Sequence, residues 1–526
     1  MRRLRAGTAL LGCATVVGAC AGSGSASSGS PRAASAAAAS SAGVHAVPSA
    51  VAARRIAVPA GDWTRFDYDA ARGGVGPSAT GITAGDLGLL ARRRVHVDGT
   101  VDSSPIELHA IPVRGRPHDL IILTTTYGRT VALDAGTGRR MWEFVPGDIG
   151  AYQGSSQITN TSPAADPGRR YVFAASPDGL IGKLNVSTGR QVRSGHWPVR
   201  VTFDATHEKL ASALNLSGRE LIVTTGGYFG DAPPYQGHVL TIDRGSGRIL
   251  HVWNSLCAER HRLLAPRSCP VSDAAIWARA GAVVEPGSGR LLVATGNADS
   301  STPHPFNGRR FWSDSVLELS GDAARLLHNW TPRDQATLSA NDTDIGSTAP
   351  ALLPVVAGRR LAVQGGKDGK LRLLDLSRLN GTAGGPGARL GGELQDIPTP
   401  GGGELFTAPA VWRQGGRVRL FAADSAGTGE YVLVGGARPR LRLAAQSSAP
   451  GTSPVVAGGL LYVFDPDGGV LRVYDPDSLR RLASLPAARG HWNSPIAVAG
   501  RVIIPEGDAN NHLASGTVDI FHLPGR

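Results

Sequence analysis

The sequence predicts an all-β fold, a single eight-bladed β-propeller whose ring is closed by a strand from the N-terminal side. Three observations carry this. A strand–turn–strand unit recurs along the chain, a Pro-marked strand start precedes each copy, and the last copy is one strand short. Gly (70) and Pro (35) are abundant in the 526 residues, which favours many turns over long helices.

The unit reads most clearly in TVALDAGTGRRMWEF from Thr130, LIGKLNVSTGRQV from Leu180, HVLTIDRGSGRILHVW from His238, KLRLLDLSRLNG from Lys370 and VLRVYDPDSLRRLASL from Val470. Each copy has an alternating strand, an Asp or Asn, a short polar turn and a second strand. Asx side chains bond onward backbone and Gly tolerates positive φ, so this composition closes a tight turn. Degenerate copies begin at Ser315 and Tyr431. Ser104-Pro105, Ser162-Pro163, Ala349-Pro350, Ala408-Pro409, Ser453-Pro454 and Ser494-Pro495 open strands at a position where Pro loses no ladder bond. Units therefore begin near Ser103, Thr161, Leu210, Ala275, Ser347, Thr407, Ser453 and Ser494, and four-stranded units of this length are propeller blades. The chain ends after three strands of the last unit. ARRRVHVDG, Ala91 to Gly99, precedes the first unit without a blade of its own and is expected to complete the last one, leaving no open ring edge.

ALDAGTGRRMW resembles the repeat of pyrroloquinoline-quinone (PQQ) enzymes and PQQ-like propellers, a family that includes quinoprotein alcohol dehydrogenases and a propeller lipoprotein of outer-membrane assembly. DWTRFDYDAARGGVGP, Asp62 to Pro77, resembles the segment that precedes the first blade in that family, so the resemblance runs from residue 62 to the end. Trp142, Trp253 and Trp330 follow the turn as the family's docking tryptophans do, which implies inter-blade packing. The resemblance implies the fold and leaves activity open. A dehydrogenase of this family implies PQQ and Ca²⁺, with hard oxygen ligands, an Asp base, a cation near the quinone oxygens and an aromatic floor. Lys367 is the candidate cation, and Trp492 or Trp312 the candidate floor. The sequence has neither a vicinal Cys pair nor a Cys-x-x-Cys-His haem motif.

The N-terminus reads as an export signal. MRRLR is basic, AGTALLGCATVV is a short apolar core, and Val17-Gly18-Ala19-Cys20 resembles a bacterial lipobox. The expectation is a signal peptide at 1–19, lipid on Cys20, a Ser/Ala/Gly tether at 20–55 and the propeller at 56–526, on the outer face of the cytoplasmic membrane. In that oxidising setting Cys257 and Cys269 are expected to form a disulfide. Net charge is +12, almost all from Arg, with only Lys183, Lys209, Lys367 and Lys370 as lysines. The arginines are scattered along the sequence without a basic helix, so no nucleic-acid partner is expected.

Up-down blades place the second-to-third loops and the blade-to-blade linkers on one face, and all the long polar sequences fall there. Long polar loops on one face point to a site. GGYFGDAPPYQGH, Gly226 to His238, supplies Tyr228, Phe229 and Tyr235 as contacts, with Asp231, Gln236 and His238 as polar anchors. From the other loops come Tyr127, Asp178, Trp312, Lys367, Asp368, Glu506, Asp508 and Asn510. The linkers add Asp102, Asn160, Asp342, Asp344, His491, Trp492 and Asn493. The histidines lack metal-ligand spacing, so no metal site is expected from them. The leading expectation is a monomeric binding or scaffolding module for a protein, peptide or envelope glycan. A PQQ- and Ca²⁺-dependent oxidoreductase is the alternative.

Overall fold

In the computed structural model the described residues are 61–228, 231–299, 306–507 and 515–525. The signal peptide, Cys20 and the Ser/Ala/Gly tether lie outside them, as do Phe229, Asp508 and Asn510.

Eight four-stranded antiparallel sheets form the ring. Blade one consists of Ile106–Val113, Arg116–Thr124, Thr130–Asp134 and Arg140–Phe144, paired in chain order. Blades two to seven follow the same plan over 164–200, 215–254, 283–330, 351–398, 410–447 and 455–486. Blade eight takes three strands from the C-terminal end, Ile496–Val498, Arg501–Glu506 and Ser515–His522, and its fourth is Ala91–Asp98. The register runs from Ala91 opposite His522 to Asp98 opposite Ser515. Closure is as the sequence predicts: the strand from the N-terminal side pairs along the last C-terminal strand, so the two ends of the propeller share one blade.

The repeat motif does the work its composition implies. Asp134 accepts the Thr137 amide (2.8 Å) and hydroxyl (2.7 Å), and Asp243 does the same for Ser246. Asn185 binds the Ser187 amide and the Thr188 hydroxyl. These turns hold third strand to fourth on the face opposite the long loops. The docking tryptophans pack between blades. Trp142 Nε1 donates to the Val186 carbonyl at 2.7 Å, and its ring covers Gly189. Trp197, which carries no repeat signature, does the same one blade on, donating to the Gly245 carbonyl at 3.2 Å. Gly189 has φ +70°, and a Cβ there would sit 2.6 Å from the Trp142 ring. Gly189→Ala is expected to lower the melting temperature by about 3 °C in a thermal unfolding scan.

The segment before the closing strand seals the short-turn end of the central channel. Its backbone bonds Glu107 from Trp63, Ala165 from Thr64, Val284 from Ala70, Val411 from Gly73, Val456 from Gly74 and Gly500 from Thr80. Arg65 reaches Asn215 and the Leu216 carbonyl. Arg72, fully inside, donates to the carbonyls of Phe66, Ala213, Leu214 and Ala280. Seven blades are thus tied to one strap. Trp63 is wholly buried against Tyr68 and the blade-seven and blade-eight core. The channel is therefore a cup, closed on the turn face.

Candidate functional site

The loop face holds a cavity of about 390 Å³ lined from around the ring. Three elements of sequence build it.

The first is an aromatic wall. Phe406 stacks on Trp492 with centroids 5.2 Å apart and planes within 15°. Trp277 lies 5.5 Å from Trp492 and 6.3 Å from Phe406, and the His491 ring stacks on Trp492 at 3.9 Å. All four rings come from linkers, so rigid inner strands hold them.

The second is a buried ion cluster behind that wall. Asp102 is fully buried and pairs with Arg279; it also accepts from Asn160 Nδ2 (3.1 Å) and lies 2.8 Å from His491 Nδ1. Arg279 donates to the Asn160 carbonyl at 2.8 Å. Burial alone would raise the Asp102 carboxyl, but Arg279, His491 and Lys209 outweigh it and hold it well below the usual carboxylate range. Lys367 forms a second cluster, 2.6 Å from Asp342 and 2.8 Å from Asp344, with its ammonium 5.2 Å from the Trp277 centroid. Burial would lower its pKa; Asp344 and Asp342 raise it instead, so Lys367 stays charged.

The third is the wall made by the thirteen-residue stretch Gly226 to His238. Gly226–Gly227 pairs with Glu208–Lys209, which brings Lys209 to the rim. Tyr235 packs its ring onto Gly227, where a Cβ would come within 2.5 Å of it, and donates its hydroxyl to Asp231 at 2.7 Å. Cys257 and Cys269 form the expected disulfide, and Gln236 Nε2 lies 3.5 Å from the Cys269 sulfur. The bridge therefore braces this wall. Asp273 donates its amide to the Tyr235 carbonyl, and burial pushes its carboxyl up to about 7, against the Ser272 hydroxyl and reinforced by Asp231 and Asp299. A carboxyl raised in the folded state binds more protons folded than unfolded between about pH 4 and 7. Its contribution to stability falls as pH rises through that window. Asp273→Asn is expected to remove about 2 °C of the melting-temperature loss between pH 5 and pH 8.

No family model matches the chain, and no curated protein matches it in sequence. Solved structures do match. A quinohemoprotein alcohol dehydrogenase from Comamonas testosteroni aligns at TM-score 0.64 and 16% identity, over 89% of this chain and 81% of that one. A second, ADHIIG from Pseudomonas putida HK5, aligns at 0.63 and 15%, over 89% and 81%. A europium-containing methanol dehydrogenase aligns at 0.63 and 14%, over 88% of this chain and 98% of that one. The chain shares the eight-bladed propeller fold of these structures. At these identities the likeness is one of fold.

The propeller brings together most of the linker residues expected at the site and fewer of the loop residues. Asp102, Asn160, Tyr228, Asp231, Tyr235, Asp342, Asp344, Lys367, His491 and Trp492 line or underlie the cavity. Several expectations are corrected. His238 is no surface anchor: it is wholly buried between Asn254 (2.6 Å) and Glu208 (3.1 Å). Trp312 is core between blades three and four, packed with Trp253 and Ile276, so it is not a floor. Tyr127 joins a small cluster with Tyr152 and Ile158. Asp178 caps the Leu180 amide in a cleft between blades one and two. Asp368 is held by Arg372 and Glu506 by Arg94, both away from the cavity. Asn493 braces from behind, donating to the Val101 carbonyl at 2.7 Å.

Trp277, Arg279, Phe406, Lys209, Asn297 and Glu404 line the cavity without having been expected there. Two signals were present. Lys209 and Lys367 are two of only four lysines in an Arg-rich chain. Trp277, Phe406 and Trp492 each lie within two residues of a unit start, which is where linkers face the axis.

The cofactors implied by the sequence resemblance are PQQ and Ca²⁺. The aromatic wall with Lys209, Arg279 and Lys367 fits a planar anion such as PQQ. The calcium does not fit: among the described residues no three His, Cys, Asp or Glu side chains converge on a metal position. Of the buried carboxylates, Asp344 is held by Lys367 and Asp102 by Arg279, while Asp314 beside Asp344 accepts from the Ser339 hydroxyl.

Proposed function

We propose that this protein is an exported binding propeller, tethered through Cys20 at the outer face of the cytoplasmic membrane as a monomer. Its closed-bottom funnel receives a ring-bearing part of a peptide or envelope glycan. The observation that carries the reading is the half-buried Trp277–Trp492–Phe406 wall in a cavity also lined by Lys209, Arg279, Lys367, Asp231, Asp342 and Glu404. Aromatic faces stack on sugar rings and aromatic side chains, and the mixed charges orient a polar ligand.

Soluble peptidoglycan fragments test this. Titrated into the full chain, they are expected to give a saturable change in tryptophan emission and a rise in melting temperature. Trp492→Ala is expected to lose on the order of tenfold in affinity with the fold retained, since a stacked aromatic contact contributes up to about 1.5 kcal/mol beyond the area it buries. Absence of any saturable change in the wild-type chain overturns the glycan form of the reading.

The second reading, a PQQ-dependent oxidoreductase, rests on Lys367 poised over Trp277 and on the planar shape of the wall. It stands second because, among the described residues, no three His, Cys, Asp or Glu side chains converge on a metal position.

A further inference from the structure

The arginines that look scattered in sequence are gathered by the fold. The third-to-fourth turns of blades one to seven each carry an exposed one: Arg139, Arg190, Arg248, Arg325, Arg378, Arg438 and Arg480. The first-to-second turns add exposed Arg116, Arg170 and Arg417 to the same face, together with Arg219, which pairs with Asp243. Most acids of these turns are spent on the turns themselves, and of those in ion pairs only Asp322 and Asp477 keep side chains as exposed as 45% and 61%. Asp134 is bound to Thr137, Asp243 is buried on Ser246, Asp322 caps the Ala324 amide and Asp375 the Ser377 amide. Among the described residues the first six of the ring make no ion pair, and Arg480 lies 3.9 Å from Asp475. A repeat that spends its carboxylate on its own turn and leaves its arginine outside produces a ring of positive charge, with one such arginine in each of blades one to seven.

The chain enters the propeller on this same face. Asp62 accepts the His109 amide at 2.7 Å and pairs with Arg169, in the first-to-second turn of blade two, at 2.9 Å. Residues 20–60 precede that point. Positive charge and the attachment point therefore coincide, and the funnel opens on the opposite side.

We propose that the turn face docks on the anionic phospholipid headgroups of a membrane, holding the funnel away from the bilayer. Only the outward presentation of the funnel rests on the tether reading; docking itself needs just the arginine ring. Attraction between such a ring and an anionic leaflet is additive over the basic residues near the surface and is screened by salt.

The test uses the full chain with Cys20→Ala, which removes any acyl anchor, in co-sedimentation with vesicles. Vesicles of phosphatidylcholine with a third phosphatidylglycerol are expected to retain the protein at low salt and release it at high salt. Pure phosphatidylcholine vesicles are expected not to retain it. Reversing three ring positions, Arg139→Glu, Arg190→Glu and Arg248→Glu, is expected to weaken partitioning on the order of 100-fold. Reversing three exposed loop-face residues, Arg262→Glu, Arg267→Glu and Arg309→Glu, is expected to leave it within about twofold. All six positions are exposed, and a melting temperature confirms the fold of each variant. Equal retention by both vesicle types, no retention by anionic vesicles at low salt, or equal loss in both triple variants overturns the proposal. So does retention on duplex DNA with none on the vesicles. Glycan titration reads the funnel separately, so either proposal can fail alone.

Discussion

Arg279→Ala is expected to lower the stability of the propeller by about 3–5 kcal/mol, measured by urea unfolding, because it strands the buried carboxylate of Asp102. Asp102 has no water to turn to, and with Arg279 gone its charge is opposed mainly by His491 and Lys209. A conservative control separates charge from packing. Arg279→Met with Asp102→Leu removes both charges at similar volume and is expected to lose less than Arg279→Ala alone, since the cost lies in the unpaired ion. The pH dependence follows in sign. A depressed folded-state pKa contributes stability above the unfolded value near 4 that is lost as pH falls below it. The wild-type chain should therefore show an acid-side decline that is smaller in Arg279→Ala. Ligand binding should fall with it, because Arg279 lies 5.8 Å from the Trp492 centroid and holds the linker of blade two in place through the Asn160 carbonyl.

Trp63→Ala is expected to cost about 3–5 kcal/mol, the range for a large buried aromatic. Trp63 is wholly inside, edge-on to Tyr68 with centroids 5.0 Å apart, and fills space that Gly76 leaves open. The loss should be cooperative with the ring rather than local. The strap from Trp63 to Thr80 bonds inner strands on opposite sides of the channel, so loosening it exposes the channel end to water. Hydrogen exchange at the Glu107 and Val456 amides, which bond the strap, should rise in the variant before exchange in outer strands does.

How much of this was legible in the sequence depends on the kind of residue. The blades were, because period-2 alternation and Asx–Gly turns repeat with the architecture. The closing strand was too, because an orphan strand before the first unit and a missing one after the last complete each other. The cavity was readable where a linker carried a distinctive residue, as with His491 and Trp492. Loop residues misled more often. His238 and Glu506 look solvated when read as loop residues, yet both sit at strand ends where the pleat turns them inward onto Glu208 and Arg94. Trp312 has the composition of a floor and the register of a core residue. The arginine ring escaped notice for a different reason. A residue once per repeat is dispersed in sequence and clustered in space, so a search for local charge runs cannot see it.

The most direct test of the funnel as a binding site rather than a redox centre is a titration of PQQ, with and without Ca²⁺, into the full chain, followed by tryptophan emission. Trp277 and Trp492 line the cavity and report on any planar occupant. The account predicts no Ca²⁺-dependent, stoichiometric quenching at micromolar PQQ. Tight one-to-one quenching that requires Ca²⁺ would contradict it and make the oxidoreductase the function of this propeller.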